Sequence, residues 1–411
     1  MKLSRDVGII GAGMTRFHHR IHADKTSREL FAEAAVEAAS SVDNGFKLKE
    51  AEALYIGNFS SDVFENQTHT AAIMADWIGI NPSPATRIED ACASSGVAIN
   101  VGVMAIASGA YDVVIVGGAE KMCNLATDRV TDTLAMAADA IYEVASGYTF
   151  PGIYASLASA HFNKYDSTWE QLQAISIKNH HNGSLNPKAQ FQSEILDTGR
   201  SLGERRNLTF RDAMEFLRSP LNSVVAYPLR LYDCCPVSDG AAAIILAAGD
   251  VARRYTDSPV YIRGIGQASD CMSMHDRADL TSLAATRHAA GQAYKMAGIE
   301  AKDVDVSDVH DCFTIAEVLA TEDLGFFPKG EGGKAAEEGW TSLTGDKPVN
   351  PGGGLKAKGH PVGATGASMA YEMFKQLRSQ AGRNQVKGAE IGLSQNVGAS
   401  GATVAIQVYR K

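Results

Sequence analysis

Cysteine is scarce in this chain and never spaced for a structural role: six residues in 411, with no Cys-x-x-Cys pair. That excludes a disulfide scaffold and a zinc site, so Cys92, Cys123, Cys234, Cys235, Cys271 and Cys312 read as free thiols and no metal is expected. Long hydrophobic runs are missing as well. Ala241 to Ala248 and Val113 to Gly118 fall far short of the ~20 residues a membrane helix needs, so no membrane association is expected. The start, Met-Lys-Leu-Ser-Arg-Asp-Val, lacks a signal-peptide core, which makes a cytoplasmic home the expectation. Positive charge is also thin: the formal net charge is -9, with Lys and Arg scattered rather than gathered into a stripe. Nucleic acid is therefore not an expected partner.

What is present is enough apolar material for a large core, 45% hydrophobic against 21% charged residues, in a chain long enough for two or three domains. Over the first ~120 residues short β-branched runs alternate with helical patterns: Asp6 to Ile10, Ser27 to Ser41, Ala53 to Gly57, Ser95 to Ser108, Asp112 to Gly118. This is the pattern of βαβ units, and it predicts an α/β fold with a parallel, largely buried sheet. From Lys121 to about Tyr232 the chain turns polar, with helical patches at Tyr154 to Lys164 and Trp169 to His180, which reads as an insertion or lid. Alternation resumes at Gly240 to Ala247 and from Val260 to the end. Two Gly-Ala-rich turns that feed apolar strands, at 239–246 and 399–406, suggest duplicated halves.

Several tempting motifs have plainer readings. Gly-Ala-Gly at 11–13 lacks the third glycine of a dinucleotide fingerprint, since Arg16 and Phe17 follow, and reads as a tight strand-to-loop turn. His18, His19 and His22, and the pair His180–His181, have no carboxylate or cysteine in ligand register and read as loop residues. Cys234–Cys235 reads as a pair of small buried residues.

Three segments resist such readings. In Glu-Asp-Ala-Cys-Ala-Ser-Ser-Gly (89–96), Cys92 opens an apolar helix among small neighbours. A helix start would stabilise its thiolate, although a buried structural cysteine fits the residues equally well. Val-His-Asp-Cys-Phe-Thr (309–314) follows a strand-like run, and the C-terminal end of such a strand is where α/β sites collect. The third, Asn-Pro-Gly-Gly-Gly-Leu-Lys-Ala-Lys-Gly-His-Pro-Val-Gly-Ala-Thr-Gly (350–366), surrounds a single His360 with glycines and lacks the Gly-Lys-Ser/Thr ending of a phosphate loop. A cysteine nucleophile needs a base beside it.

At these segments, and along essentially its whole length, the chain resembles the thiolase superfamily. Cys92 in Ala-Cys-Ala-Ser-Ser-Gly matches the acylated nucleophile, His360 in Gly-His-Pro the activating histidine, and Gln-Asn-Val-Gly (395–398) the fourth active-site loop. The commonest thiolases carry Asn-Glu-Ala-Phe where this chain has His310-Asp311-Cys312-Phe313, and a second catalytic cysteine where it has Asn396. Both departures resemble the branch of sterol-carrier-protein-type and archaeal acetoacetyl-CoA thiolases.

The resemblance implies a thiolase fold, two stacked βαβαβαββ halves with an inserted loop domain: a first half over 1-120, a CoA-covering loop domain over 121-232, completion of the first half over 233-258 and a second half over 259-411. It implies acyl transfer between coenzyme A thioesters, CoA being substrate or product with no tightly bound cofactor. Cys92 would be the nucleophile, His360 its base and Cys312 the acid/base at the α-carbon. One oxyanion hole would use the N–H groups of Cys92 and Gly398, the other His310 and His360. Asn396 is left to loop structure or substrate positioning. Acetoacetyl-CoA formation from two acetyl-CoA is expected, because the chain stops at Lys411 without a fused lipid-carrier domain or a Ser-Lys-Leu ending. Thiolysis of longer or branched 3-ketoacyl-CoA, an aldolase reaction, or an inactive scaffold are the alternatives. A homodimer or tetramer is expected by analogy, as is a complex with hydroxymethylglutaryl-CoA synthase and a small zinc-containing acyl-CoA-binding protein.

Overall fold

The computed structural model describes residues 3–411. The first part of the chain runs β1 (Val7–Met14), α1 (Ser27–Ser40), β2 (Ala53–Gly57), α2 (Ser61–Phe64), α3 (Thr70–Trp77), β3 (Ala85–Ile88), α4 (Ser94–Ala107) and β4 (Val113–Glu120). Local chemistry sets these bounds. At the start of α1, Glu29 reaches back to accept from both the N–H and the hydroxyl of Thr26, closing a capping box, while Leu30, Phe31, Ala34, Ala35 and Ala38 form its buried stripe. Between β4 and the next long strand come α5 (Thr127–Ala135), α6 (Phe150–Tyr165), α7 (Trp169–Leu185), α8 (Ile195–Glu204), α9 (Ala213–Arg218) and a hairpin of β5 (Val224–Ala226) and β6 (Leu229–Arg230). Then β7 (Gly240–Ala248) and α10 (Gly249–Ala252) lead into the second part: β8 (Val260–Ser269), α11 (Ala284–Ala297), β9 (Val306–Val309), α12 (Thr314–Asp323), α13 (Gly332–Glu337), α14 (Gly354–Lys358), α15 (Thr365–Leu377), β10 (Ile391–Gly398) and β11 (Thr403–Arg410).

The strands run in the order β3-β2-β4-β7-β1-β8-β11-β10-β9. Five come from the first part of the chain and four from the second, and among the described residues the two groups pair where Val7 to Ile9 of β1 meet Val260 to Ile262 of β8. Helices α4 and α15 lie against each other between the two groups: α4 packs on β2 and β4 and also on β11, α15 on β10 and also on β7. Outside, α1 covers β1 and β7, and α11 covers β8 and β11. This is a layered stack of two similar halves, the thiolase fold.

Two sequence expectations change. The sheet is mixed: β2–β3, β2–β4 and β9–β10 are parallel, but β4–β7, β1–β7, β1–β8, β8–β11 and β10–β11 are antiparallel. Each half closes with a returning strand, β7 or β11, and the short Ala399–Ala402 turn before β11 permits only a hairpin. Gly11 and Gly13 are inside β1 and not in a turn. A Cβ on Gly11 would sit 2.4 Å from the Ala38 carbonyl oxygen and one on Gly13 2.2 Å from that of Ala34, so glycine lets α1 lie directly on the strand. In the second half, the counterpart of β3 shrinks to a single bridge between Ser307 and Val349. The chain leaves it, as it leaves β3, into a loop that carries site residues.

Candidate active site

Four chain segments converge at the ends of the strands. Cys92 lies two residues before α4 begins, in a turn where Ala91 adopts a left-handed φ of 48°. A non-glycine residue is costly there, on the order of 1–2 kcal/mol. The turn is tied down by Ser94, whose hydroxyl donates to the Ala91 carbonyl (2.6 Å) and accepts from the Asp90 N–H (2.9 Å). His310 and Cys312 follow β9, and His360 follows α14. Asn396 is in β10, and the first residue beyond that strand, Ala399, is again left-handed (φ 55°) and turns its N–H toward the Cys92 sulfur. Gly398 is tight against the nucleophile turn: a Cβ there would be 2.6 Å from the Asp90 carbonyl oxygen.

The Cys92 sulfur and one ring nitrogen each of His310 and His360 lie within 4.8 Å of one another. Cys92, Cys312 and His360 border a mostly apolar cavity of about 190 Å³, with Phe59, Met122, Leu134 and Phe313 among its walls. Cys234 and Cys235 also face it, so they are cavity residues and not merely small core ones. Helix α5 and the start of α6 form one side, which places the inserted segment over the cysteine.

Burial dominates the electrostatics. It pushes the Cys92 thiol up to about 12 against the smaller opposing pull of the Ala399 N–H, so the resting group is a thiol. The thiolate expected from a helix start is not the resting form, because Cys92 precedes the helix and desolvation outweighs the nearby N–H groups. Burial also holds His360 down at about 3 and His310 well below the usual imidazole value, the latter reinforced by His360. Both rings are neutral near pH 7. Cys312 is pushed well above the ordinary thiol value, by burial first and then by Cys235, with a hydrogen bond from Tyr154 opposing.

His360 has a defined proton. Its Nδ1 is 2.7 Å from the Thr365 hydroxyl, which is also 3.0 Å from the Pro361 carbonyl oxygen. A hydroxyl has one proton to give, and both contacts are satisfied when it goes to Pro361 while Nδ1–H donates to the hydroxyl oxygen. Nε2 is then bare, the form that can accept a thiol proton.

Two buried carboxylates hold the loops together. Asp311 accepts from the N–H of Leu355 (2.6 Å) and of Lys356 (3.2 Å) and from the Asn179 amide (2.7 Å), tying the His310 turn to the His360 loop. Glu120, raised to about 7 by burial, accepts from the N–H groups of Phe59 (2.8 Å), Ser60 (3.0 Å) and Gly363 (3.0 Å). Neither carboxylate was singled out from sequence, nor were Tyr154, Thr365 and Ala399. Thr365 stands in the glycine-rich motif and was within reach. Tyr154 lies on a helix of the insertion, where nothing local distinguishes it from a core aromatic, yet its hydroxyl meets both Cys312 and, at 3.2 Å, the Ala399 carbonyl.

A layered pair of halves with a cysteine and two neutral histidines at their junction is an arrangement suited to acyl transfer. The thiolase N-terminal domain family matches residues 7–250 and the thiolase C-terminal domain-like family residues 266–411, and the chain belongs to the thiolase family. It is 45% identical over 407 residues to the acetyl-CoA acetyltransferase of Methanothermobacter thermautotrophicus, covering 99% of this chain and 100% of that one. It is 40% identical to the acetyl-CoA acetyltransferase of Methanocaldococcus jannaschii over 415 residues, 98% of each chain. Among solved structures, the Ltp2-ChsH2(DUF35) aldolase superposes with a TM-score of 0.81 at 21% identity, over 99% of this chain and 98% of that one, a likeness of fold.

Proposed function

We propose that this chain is an acetyl-CoA C-acetyltransferase, joining two acetyl-CoA by Claisen condensation or cleaving acetoacetyl-CoA with CoA, through an acetyl group on Cys92. The observation that carries this is the convergence of the Cys92 sulfur with nitrogens of two neutral histidines within 4.8 Å. The bare Nε2 of His360 takes the Cys92 proton as the sulfur attacks the thioester carbonyl, and CoA leaves with that proton. The N–H groups of Cys92 and Gly398 are assigned to the oxyanion of this step, with Ala399 beside them, and such a donor contributes ~3 kcal/mol. The enolate oxygen of the second acetyl-CoA is assigned to His310; His360, which the resemblance adds to this hole, has a bare Nε2 again once CoA has carried the proton away and has no hydrogen to offer there. Cys312 is assigned to the α-carbon: as a thiolate, its own proton lost to solvent, it takes the α-proton in condensation and passes it to the Cys92 sulfur freed as the carbon–carbon bond forms, and the reverse transfers serve thiolysis. CoA serves as substrate and product, and the segment 121-232 is assigned to covering it.

Thiolysis of longer or branched 3-ketoacyl-CoA is the second reading, favoured by the apolar walls of a cavity much larger than an acetyl group. An aldolase assignment has the fold likeness behind it, but Cys92 supplies a nucleophile that a retro-aldol cleavage does not need. A cytoplasmic homo-oligomer, assembled with a consumer of acetoacetyl-CoA and an acyl-CoA-binding protein, belongs to the same proposal; the named pairing in the Ltp2-ChsH2(DUF35) aldolase is a property of that protein and a parallel only. Among the described residues no helix is long and apolar enough to cross a membrane.

The test is incubation with acetyl-CoA followed by peptide mapping. One acetyl group on Cys92, and acetoacetyl-CoA consumed beyond one equivalent per site only when CoA is added, are expected. Turnover with no acetyl group on Cys92 defeats the proposal.

A further inference from the structure

Asn396 is fully buried in β10, and its amide nitrogen is 2.9 Å from the carbonyl oxygen of Cys92 and 3.2 Å from Nδ1 of His310. The first contact settles the orientation of the amide, because its oxygen at that place would face another oxygen with no proton between them. One N–H of the amide goes to Cys92. The other points at the His310 ring, so Nδ1 must be an acceptor. A neutral imidazole carries one proton, which therefore sits on Nε2. Nε2 is buried without a hydrogen-bond partner among the described residues. Two glycines make room for this side chain: a Cβ on Gly96 would come within 2.7 Å of Asn396 Oδ1 and one on Gly366 within 2.4 Å.

We infer that Asn396 is a positioning residue that locks His310 in the Nε2–H form, turning it into a fixed donor for the thioester oxygen on which enolate charge develops. This rests on the thiolase reading above and adds to it a division of labour between two histidines. Thr365 holds His360 with Nε2 bare, as a base, and Asn396 holds His310 with Nε2 protonated, as a donor. The same assignment leaves His310 no lone pair with which to join Cys92 and His360 around a metal ion. Asn396 touches the backbone of the nucleophile and the side chain of the donor, so it also sets their spacing.

The test uses the full-length enzyme with ¹⁵N-labelled histidine rings, beside two kinetic readouts: acetylation of Cys92 by acetyl-CoA, and washout of deuterium from the methyl group of labelled acetyl-CoA. Asn396→Asp keeps the shape but makes the partner of Nδ1 an acceptor, which draws the ring proton to Nδ1, and it also removes the bond to the Cys92 carbonyl oxygen. The wild-type ring of His310 should show Nε2–H and the variant Nδ1–H. Deuterium washout should fall about 10²–10³-fold, the usual consequence of losing one such donor, and fall further than Cys92 acetylation, which loses only the bond to the Cys92 carbonyl oxygen. Asn396→Ala, which removes the lock without imposing the opposite one, should lose less washout than the aspartate. A wild-type His310 with its proton on Nδ1 overturns the inference. So does an aspartate variant that loses acetylation and washout equally with its ring unchanged, the mark of a merely structural residue. Failure of wild-type Cys92 to become acetylated would instead sink the thiolase reading itself.

Discussion

His310 and His360 meet edge to face, their ring centroids 5.0 Å apart and their planes at 86°. Each is gripped at Nδ1 by a side chain of opposite sense, an amide donor on one and a hydroxyl acceptor on the other. Two chemically identical side chains can thereby hold different offices in one site.

The hydroxyl side of this pair is open to mutation. Thr365→Val keeps the shape of the helix start but leaves Nδ1–H of His360 without an acceptor in a buried setting. The ring then has no reason to keep its base nitrogen toward Cys92, and acetylation should slow by about 10²–10³-fold. Thr365→Ser restores the acceptor and should restore most of the rate. Rapid-quench mass measurement of acetyl-enzyme formation compares the three.

Proton transfer at the α-carbon should separate from acylation. Cys312→Ala is expected to acetylate Cys92 and yet lose condensation and thiolysis by a factor of about 10²–10⁴, the range for removing a general acid/base. Cys92→Ala should lose both. Tyr154→Phe is a finer probe. The single hydroxyl proton of Tyr154 serves the Ala399 carbonyl at rest and is the one that would turn to a Cys312 thiolate. Its removal should shift the pH dependence of condensation upward while acetylation changes little. Near-parental condensation by well-folded Cys312→Ala would make that cysteine a core residue only.

Alkylation tests the state of the nucleophile. A thiol raised to about 12 has a thiolate fraction that grows tenfold per pH unit throughout the neutral range. The rate of iodoacetamide labelling mapped to Cys92 should therefore climb steadily from pH 6 to about 9, without levelling off. A plateau already reached at pH 7 would mean a stabilised thiolate, as the position near a helix start first suggested.

The His360 loop depends on a close approach that only glycine allows. Gly354 has φ +57° and a Cβ there would lie 2.3 Å from the Asp311 carboxylate. Gly354→Ala should destabilise the fold by roughly 1–3 kcal/mol and displace the loop. Thermal unfolding reads the first effect and Cys92 acetylation the second.

Much of this protein was legible in the order of its residues, because periodicity and short motifs are local. The alternation of β-branched runs and helical stripes located α1, α4, β2 and β4 to within a residue or two, and the Gly-Ala-rich segments at 239–246 and 399–406 marked the duplication. Cys92 and His360 stood out because a reactive side chain among glycines and alanines is conspicuous, and His310 and Cys312 because they follow a strand-like run. Direction of strand pairing was not legible, since an apolar run reads the same whether its neighbour is parallel or antiparallel. Nor was the protonation of the site. Whether Cys92 rests as a thiol, which ring nitrogen of each histidine carries hydrogen, and what Tyr154 and Asn396 touch all depend on desolvation and on hydrogen bonds between residues up to 304 positions apart. Those quantities come into being only when the two halves close on each other, because burial and bond angles belong to the assembled core and to no stretch of chain within it.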